Sequence, residues 1–448
     1  MLRPEEDVLT IRGFRTAISP RMPAVMFIVR TLTLMSGTLL AQAITFGVSF
    51  ALTRLYDPSA FGRYSIFLGL AGILGAASTG ALDSVIVLAR SDAEARRAGS
   101  VAILISIATA LLISLTGLGL GLTGLLAGGL AASLPFGLLE LALLLPMFIA
   151  SYGLAQVFTY SNLRADRMKT IAGFKVAQSF SMGGLQVVAS TVHALPGLIV
   201  GNVAGWLILG GAGLRSHFAK PGVQFDLRIR NMASVIRRHW RFPRYVMPNQ
   251  LIDNLSNQIP IFLIGIFLSM STAGHYGLAI MMLSAPSALL GQAVGQVFLQ
   301  HLGRHVGDPK SLARAMGRVW LGMALIGAIP FATIAVLGPK IFGFAFGTEW
   351  AEAGVVASGL SALLFIRFAS SPTSTMYLKL GMQREQWWFT LAAAVYRPAA
   401  YGLGAFGVGL ETQILVHVTA EILAIAAYNA LALERLGVFR PGSAGVQA

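Results

Sequence analysis

Long apolar segments alternate with short polar ones along almost the whole chain. A helix needs roughly 20 predominantly apolar residues to cross the hydrocarbon layer of a membrane, and about twelve segments meet that requirement. Their approximate cores are 31–53, 64–88, 99–123, 134–158, 171–192, 195–214, 246–270, 275–299, 317–338, 354–378, 387–409 and 412–433. The pattern predicts an all-α polytopic membrane protein with about twelve transmembrane helices.

Three of these segments also carry polar side chains at helical spacing. The seventh has a broad stripe, because two sets recur at intervals of four: Asn249, Asp253 and Asn257, and Gln250, Asn254 and Gln258. The eighth repeats this spacing with Gln292, Gln296 and Gln300, and the first has Thr38, Gln42, Thr45, Ser49 and Thr53. Amides facing lipid are costly, so the stripes predict a polar cavity enclosed by helices. For the hydroxyls of the first segment, the alternative is bonding to carbonyls of their own helix.

Basic residues are concentrated in alternate loops. One set of loops, together with both tails, holds nearly all of the loop arginines and lysines, from Arg3 to Arg440, whereas the opposite loops have only Arg54, Arg63 and Lys340. Under the positive-inside rule, this asymmetry predicts that both termini are cytoplasmic and that the number of spans is even. Arg367 and Arg397 fall inside predicted spans.

The spans divide into two sets of six. The predicted units are a cytoplasmic N-terminal tail (1–30), an N-lobe with spans 1–6 (31–214), a cytoplasmic basic linker (215–245), a C-lobe with spans 7–12 (246–433) and a cytoplasmic C-terminal tail (434–448). We interpret the linker as a segment on the inner leaflet, with a partner-docking site as the alternative. Residues 59–64 and 271–276 both read Ser-x-x-Gly-basic-Tyr at the start of spans two and eight. This repeat predicts two pseudo-symmetric lobes with a site between them.

Composition agrees with a membrane protein and excludes several classes of function. Hydrophobic residues make up 55% of the chain, charged residues make up 11%, and the mean hydropathy is +0.72. The net charge of +15 is explained by loop orientation and anionic lipid head groups, so nucleic acid is not predicted as a partner. The absence of cysteine excludes disulfides and thiolate metal sites, and the sequence has no Walker loop. No cofactor and no metal are predicted.

Several short segments resemble one known family. They are 52–58 (Leu-Thr-Arg-Leu-Tyr-Asp-Pro) with 61–64, 91–95, 241–245, 291–298 and 346–354 (Phe-Gly-Thr-Glu-Trp-Ala-Glu-Ala-Gly). In this order they resemble the bacterial polysaccharide repeat-unit flippases. These form the polysaccharide transporter branch of the multidrug/oligosaccharidyl-lipid/polysaccharide exporter superfamily.

The resemblance implies a transporter and not an enzyme. Its expected substrate is an undecaprenyl-pyrophosphate-linked oligosaccharide, moved from the cytoplasmic to the periplasmic leaflet of the bacterial inner membrane for surface polysaccharide biosynthesis. It also implies two six-helix lobes around a central cavity, with spans one, two, seven and eight forming much of its wall. Candidate partners besides the bilayer are a polysaccharide polymerase and a chain-length regulator.

The substrate's chemistry selects candidate site residues. Carboxamides match sugar hydroxyls as donors or acceptors, so the glycan candidates are Gln42, Asn249, Asp253, Asn257, Gln292 and Gln296. Arginine matches pyrophosphate bidentately, which makes Arg54, Arg367 and Arg397 candidates. The alternative for each arginine is pairing with a carboxylate such as Asp83, Glu140 or Glu421, or reaching a head group. Asp83 is also a candidate for ion coupling, with pairing to an arginine as its alternative.

Two other functions remain open. A drug or cation antiporter of the same superfamily would have the same architecture, but aromatic and acidic cavity walls would suit its cargo better. A membrane glycan polymerase or ligase usually has a large outward loop. Here the longest outward loop runs roughly over 338–353, which disfavours an enzyme of that kind.

Overall fold

Helices account for the regular secondary structure. The structure is a computed structural model that describes residues 24–122, 136–137, 139–192, 196–218, 229–304, 309–373, 377, 380 and 382–436, and no strand occurs within them. The helices are α1 (Ala24–Leu55), α2 (Pro58–Ser78), α3 (Asp83–Leu88), α4 (Asp92–Leu122), α5 (Leu145–Arg164), α6 (Met168–Ala189), α7 (Gly197–Phe218), α8 (Ile229–Arg238), α9 (Met247–Phe267), α10 (Met270–Arg304), α11 (Pro309–Phe346), α12 (Ala351–Ser370), α13 (Gln383–Gly402) and α14 (Leu410–Arg435). Helices α5 and α9 are preceded by π-helical turns, Glu140–Leu144 and Phe242–Val246.

Twelve of the described helices are long, and each overlaps one of the twelve predicted segments. By length and apolar composition alone, seven described stretches are able to cross a membrane: Met35–Leu55, Pro58–Ser78, Asp92–Gly119, Glu140–Arg164, Ser311–Phe346, Thr348–Thr373 and Leu410–Arg435. Large apolar side chains such as Leu325, Ile329 and Val336 are mostly exposed, as expected for a surface that faces lipid. The predicted all-α polytopic membrane fold is confirmed.

The second predicted span, 64–88, is interrupted. Helix α2 ends at Ser78 and α3 begins at Asp83, with Gly80 and Ala81 between them at φ values of 61° and 57°. Glycine adopts this left-handed conformation freely, whereas alanine is strained in it. The carbonyls at the end of α3 accept hydrogen bonds from Arg164, at 3.0 Å for Ile86 and 2.8 Å for Ala89. This arginine of α5 therefore stabilises a short helix that the hydrophobic pattern does not separate from α2.

In the described part of the chain, the buried clusters group the helices into an N-terminal set and a C-terminal set, called the N-lobe and the C-lobe, which share a core at one end. The closed end is defined as the end at which α1 joins α2 and α9 joins α10, and the tail end as the opposite one. A single buried cluster extends from the closed end and includes Phe61 and Phe67 of the N-lobe with Ile264 and Trp350 of the C-lobe. At the tail end each lobe has a separate cluster, one around Val101 and Val157, the other around Phe298, Leu312 and Met316. The lobes are thus joined at the closed end and part toward the tail end.

The two copies of the repeated Ser-x-x-Gly-basic-Tyr motif meet at the closed end. A Cβ on Gly62 would lie 1.9 Å from the carbonyl oxygen of Met270, and a Cβ on Gly274 would lie 1.8 Å from that of Pro58. Helices α2 and α10 therefore touch backbone to backbone, which only glycine permits. Beside this crossing, the Trp350 indole donates a hydrogen bond of 3.0 Å to the Thr53 carbonyl across the lobe interface.

The described part of the linker packs on the N-lobe. Val235 of α8 is buried in the tail-end cluster of that lobe. His239 Nε2 and Arg238 Nε lie 3.0 and 3.3 Å from the Glu94 carboxylate at the start of α4. The linker is thus fixed to protein over this stretch. Its residues 219–228, like the predicted tails over 1–23 and 437–448, lie outside the described residues.

Candidate functional site

A cavity of about 310 Å³ lies between the lobes. The N-lobe supplies one wall through α2, with Tyr64, Ser65 and Gly69. The C-lobe supplies the remainder through α9, α10, α12, α13 and α14; its polar lining residues are Asn257, Gln258, Tyr276, Arg367, Arg397 and His417. Cavities that hold small ligands usually measure about 300–1,000 Å³, so this one is large enough to bind part of a substrate.

Glu421 lies at the centre of a buried charge cluster in the cavity wall. Its carboxylate accepts two hydrogen bonds from Arg397, 2.9 Å from Nε and 2.7 Å from Nη2, and it also pairs with Arg367. The three residues come from α14, α13 and α12. Since the Glu421 side chain is only 2% exposed, its charge is compensated by these arginines and not by water.

The two arginines differ in how many hydrogen bonds their guanidinium groups already donate to protein. Arg397 is buried, and its Nη1 also donates to Ser256 Oγ at 3.1 Å and to Asn257 Oδ1 at 2.8 Å. The Arg367 side chain is 36% exposed, and its described hydrogen bond goes to Glu421 alone. Both arginines are paired with a carboxylate, as one alternative from the sequence expects. Within this cluster two guanidinium groups face one carboxylate, and Arg367 presents the excess positive charge to the cavity. The Asp253 carboxylate of α9 also acts electrostatically on Arg397.

A chain of hydrogen bonds continues from Glu421 along the wall. His417 Nε2 lies 3.2 Å from a Glu421 oxygen, and His417 Nδ1 lies 3.0 Å from the Tyr401 hydroxyl. Because a carboxylate can only accept, Nε2 carries the proton of a neutral His417, and Nδ1 accepts from Tyr401. The Tyr401 hydroxyl in turn lies 3.5 Å from that of Tyr276, which lines the cavity. This network fixes the orientation of the Glu421 carboxylate.

The predicted glycan residues of α9 lie on one exposed face. Asn257 lines the cavity, while Asn249 and Asp253 are exposed on the same face nearer the tail end. The Asn257 amide donates to the Asp253 carbonyl at 2.8 Å, so its side chain lies along the helix. The side chains of Gln292 and Gln296 lie outside the described residues.

The polar stripe of α1 is largely self-satisfied. Thr45, Ser49 and Thr53 donate to carbonyls of their own helix at 3.0, 2.6 and 3.3 Å, as the alternative for this segment expects. Gln42 is half-buried, and its Oε1 is buried with no hydrogen-bond partner among the described residues.

Arg54 and Asp83 lie away from the cavity. Arg54 is exposed at the closed end of α1, and it is not among the described residues that line the cavity. Asp83 is buried at the first turn of α3, where its carboxylate accepts a hydrogen bond of 3.1 Å from Thr79. The positive N-terminal end of α3 accounts for its position, and its part in ion coupling stays a prediction. No group of three or more His, Asp or Glu residues in the described chain is suited to hold a metal ion.

Two tyrosines of the cavity were not among the predicted site residues. Tyr64 and Tyr276 end the two copies of the repeated motif, and both line the cavity. Tyr64 also accepts a hydrogen bond of 2.7 Å from Asn202 Nδ2. The two tyrosines occupy the same position in the repeated motif, two residues after Gly62 and Gly274. This repeated position is the sequence signal that could have identified them.

The chain is similar to a known protein family and to several solved structures. Residues 51–355 match the family described as "Polysaccharide biosynthesis protein". No match was found among curated proteins. Among solved structures, the lipid II flippase MurJ in an inward closed conformation aligns with a TM-score of 0.68 at 11% identity, covering 92% of this chain and 90% of that one.

Two further solved structures have the same fold. A multidrug resistance MATE family transporter of the MOP superfamily, in an inward-facing conformation, aligns with a TM-score of 0.54 at 15% identity over 96% of this chain and 99% of that one. A MOP superfamily transporter from Pyrococcus furiosus, for which the reverse polarity of the binding pocket suggests a different function, aligns with a TM-score of 0.57 at 14% identity over 92% and 96%. At these identities the likeness concerns the fold.

Proposed function

Because this chain belongs to the polysaccharide biosynthesis protein family, we propose that it is a flippase for lipid-linked oligosaccharides. Its substrate is an undecaprenyl-pyrophosphate-linked repeat unit, and it works in the bacterial inner membrane during surface polysaccharide biosynthesis. Both termini and the tail end are cytoplasmic in this proposal, since nearly all of the loop arginines and lysines lie there.

The excess positive charge of the cavity is the observation that carries this proposal. Arg367 is half-exposed beside Glu421, and Arg397 holds that carboxylate in place. A pyrophosphate entering the cavity would compete with Glu421 for Arg367, whose planar guanidinium donates to two phosphate oxygens at once. The polyisoprenoid tail remains in the bilayer, so the cavity has to accommodate only the polar head.

Neutral polar groups around the charge cluster suit the glycan. Asn257, Gln258 and Tyr64 line the same cavity, and their amides and hydroxyl match sugar hydroxyls as donors or acceptors. Asn249 and Asp253 continue the polar face of α9 toward the tail end, where the lobes part. Together with Gln42, Gln292 and Gln296, they are the residues that we propose for glycan contact.

The arrangement of the lobes supports transport by alternating access. With the closed end joined and the tail end parted, the cavity is loaded from the cytoplasmic side in the proposed orientation. Release on the other side requires the Gly62–Gly274 crossing and the bond from Trp350 to Thr53 to separate. The two lobes then rock about the central site, which is the common plan for transporters built from repeats.

Cavity charge argues against the alternative of a drug or cation antiporter. A cationic drug is best held by aromatic and acidic walls. Here the carboxylate of Glu421 is already paired with two arginines. An export assay with a cationic dye separates the two functions: the flippase proposal expects no protein-dependent efflux.

Deletion of the gene, followed by analysis of lipid-linked intermediates, tests the proposal. Undecaprenyl-pyrophosphate-linked repeat units should accumulate in the cytoplasmic leaflet, and the wild-type protein should clear them. Arg367→Gln should fail to clear them at an equal protein level, because it removes the exposed cavity charge. Arg318→Gln, at an exposed position of α11, is the matched control and should behave as wild type. Normal surface polysaccharide in the deletion strain would refute the proposal.

A further inference from the structure

The basic position of the repeated Ser-x-x-Gly-basic-Tyr motif is Arg63 in the N-lobe and His275 in the C-lobe. Each directly follows the glycine at which α2 and α10 touch. Arg63 Nη2 lies 2.7 Å from an oxygen of Glu140, in the π-helical turn before α5. His275 Nδ1 lies 3.0 Å from an oxygen of Glu352, in the first turn of α12. The two carboxylates belong to the fourth and tenth predicted spans, so the two contacts correspond under the repeat.

The two contacts differ in how their charges respond to pH. Arginine stays charged at every physiological pH, whereas histidine changes its charge between about pH 5 and 8. The contact between Arg63 and Glu140 is therefore permanent, and the contact between His275 and Glu352 is titratable.

Both ring nitrogens of His275 face groups that can only accept. The ring is buried, and its Nε2 lies 3.0 Å from the Glu349 carbonyl, so Nε2 carries a proton. In the neutral ring, Nδ1 would then present a lone pair to the Glu352 carboxylate. Its contact with that carboxylate is an ion pair and not an aligned hydrogen bond, so it depends on the charge of the ring. The surroundings of His275 are thus complementary to the doubly protonated ring.

The turn that His275 contacts also joins the two lobes. Trp350, which donates a hydrogen bond across the lobe interface, ends the 3₁₀ turn Thr348–Trp350. Its ring packs edge to face against His275, with 5.7 Å between ring centroids, and against Phe61 of α2, with 4.8 Å. Loss of the Glu352 contact therefore loosens this turn from α10 and weakens the attachment of Trp350 to the N-lobe.

Other charged groups at the closed end are oriented toward solvent or lipid head groups. Besides the pair of Arg63 with Glu140, the described ones are Arg54, Asp57, Lys340, Glu349 and Glu411, and all five are exposed. The Asp57 carboxylate caps α2. Among the ion pairs of the described residues, the one that His275 forms is with Glu352. Titration of the ring therefore acts on this contact.

We propose that His275 and Glu352 form a proton-binding clasp at the closed end. With the ring protonated, the turn before α12 is held against α10, and the lobes stay joined through Trp350. When Nδ1 releases its proton to water, the attraction to Glu352 is lost and the closed end separates more readily. The contact between Arg63 and Glu140 is unchanged by this step. The clasp goes beyond the proposed function, because it controls an opening of the molecule whatever the cargo is.

Distances between spin labels across the closed end test the clasp. Val192→Cys, after α6, and Phe406→Cys, after α13, place one label on each lobe at exposed positions of a chain that has no cysteine. Double electron–electron resonance on the full-length protein in nanodiscs should show one short distance at about pH 5.5 and an additional longer one at about pH 8. We expect the ratio of separated to joined molecules to rise about fivefold, as for the loss of one ion pair.

A variant of Glu352 distinguishes the clasp from other effects of pH. In Glu352→Gln, the new amide can donate to Nδ1 of the neutral ring, so the contact no longer requires a charged ring. The Glu352 side chain is 76% exposed, and the fold therefore tolerates the change. The ratio of separated to joined molecules should then be the same at both pH values. Glu349→Gln is the matched control and should keep the fivefold rise, because Glu349 contacts the ring through its backbone.

Each outcome supports or overturns the clasp. A ratio that does not change with pH in the labelled parent protein overturns it. So does a rise that persists in Glu352→Gln, since another group then titrates, and so does loss of the rise in Glu349→Gln. His275→Gln, which is neutral at every pH, should give the raised ratio at both pH values. The function is tested separately by the lipid-linked intermediates of the deletion strain, so failure of the clasp leaves it standing.

Discussion

Among single residues, Glu421 is the one whose charge the candidate site depends on most. Two arginines and a histidine surround its carboxylate, and the side chain is almost fully buried. Removing one member of a buried charge cluster leaves the others without compensation, which typically costs about 3–5 kcal/mol. We expect Glu421→Gln to lower the free energy of unfolding by about that amount. Thermal unfolding of the purified protein measures the loss.

A matched control and a double variant make this prediction specific. Glu411→Gln lies on the same helix at an exposed position and should leave the melting temperature unchanged. The pair Arg397→Met with Glu421→Met removes both buried charges and should recover part of the stability lost in Glu421→Gln. If Glu421→Gln melts at the wild-type temperature, the carboxylate does not hold the two arginines together.

The charged residues of the cluster were predictable from the sequence, and pairing with Glu421 was one of the alternatives left open for the arginines. Arg367, Arg397 and Glu421 stand out because ionisable residues are rare inside spans. Both arginines line the cavity, and which of them is the more exposed there depends on contacts between α12, α13 and α14, which are distant in sequence. Arg397 donates hydrogen bonds to Glu421, Ser256 and Asn257, whereas the described hydrogen bond of Arg367 goes to Glu421 alone. Sequence spacing contains no information on that difference.

At the scale of elements, the close contact between α2 and α10 keeps the closed end shut. Gly274→Ala would place a methyl group 1.8 Å from the Pro58 carbonyl oxygen, so the helices have to separate. We expect this variant to open the closed end and to expose the cavity residue Ser65. Because the chain has no cysteine, Ser65→Cys provides a single label site. A membrane-impermeant maleimide applied from the closed-end side should react faster in Gly274→Ala.

Gly47→Ala is the matched control for this labelling. Gly47 lies on α1, and a Cβ there would meet no atom within 4 Å. It should therefore leave the labelling rate unchanged. Equal labelling rates in Gly47→Ala and Gly274→Ala would contradict the proposal that the contact of α2 with α10 closes this end of the cavity.

The ends of helices were predictable where the chain changes from apolar to polar residues. They were not predictable where contacts with another helix break a continuous apolar segment. The twelve long helices overlap the predicted segments, since each carries enough apolar residues for a span. The break between α2 and α3 was not predicted, although Gly80 lies there. Ala81 is held in a left-handed conformation, and Arg164 from α5 satisfies the end of α3, so tertiary contacts make the break.

At the scale of the whole molecule, the charge asymmetry predicts the orientation in the membrane. A fluorescent protein fused at the C-terminus should fluoresce, because it stays in the cytoplasm. Alkaline phosphatase inserted at Gly407, in the loop between α13 and α14, should be active, because that loop is exported. The same reporter inserted at His239 in the linker is the control and should be inactive. Activity reversed between Gly407 and His239 would contradict the orientation and, with it, loading from the cytoplasm.

The sequence by itself determined the class of the molecule, its helices and its family resemblance. These properties follow from local composition and from spacing along single helices, which the chain carries without any partner. The tertiary structure alone decided that Arg397 donates four hydrogen bonds and Arg367 one among the described residues, that Tyr64 and Tyr276 border the cavity, and that Lys175 reaches Thr38. Each of these depends on contacts between helices far apart in sequence, and helical periodicity fixes which face a residue is on but not which helix packs against that face.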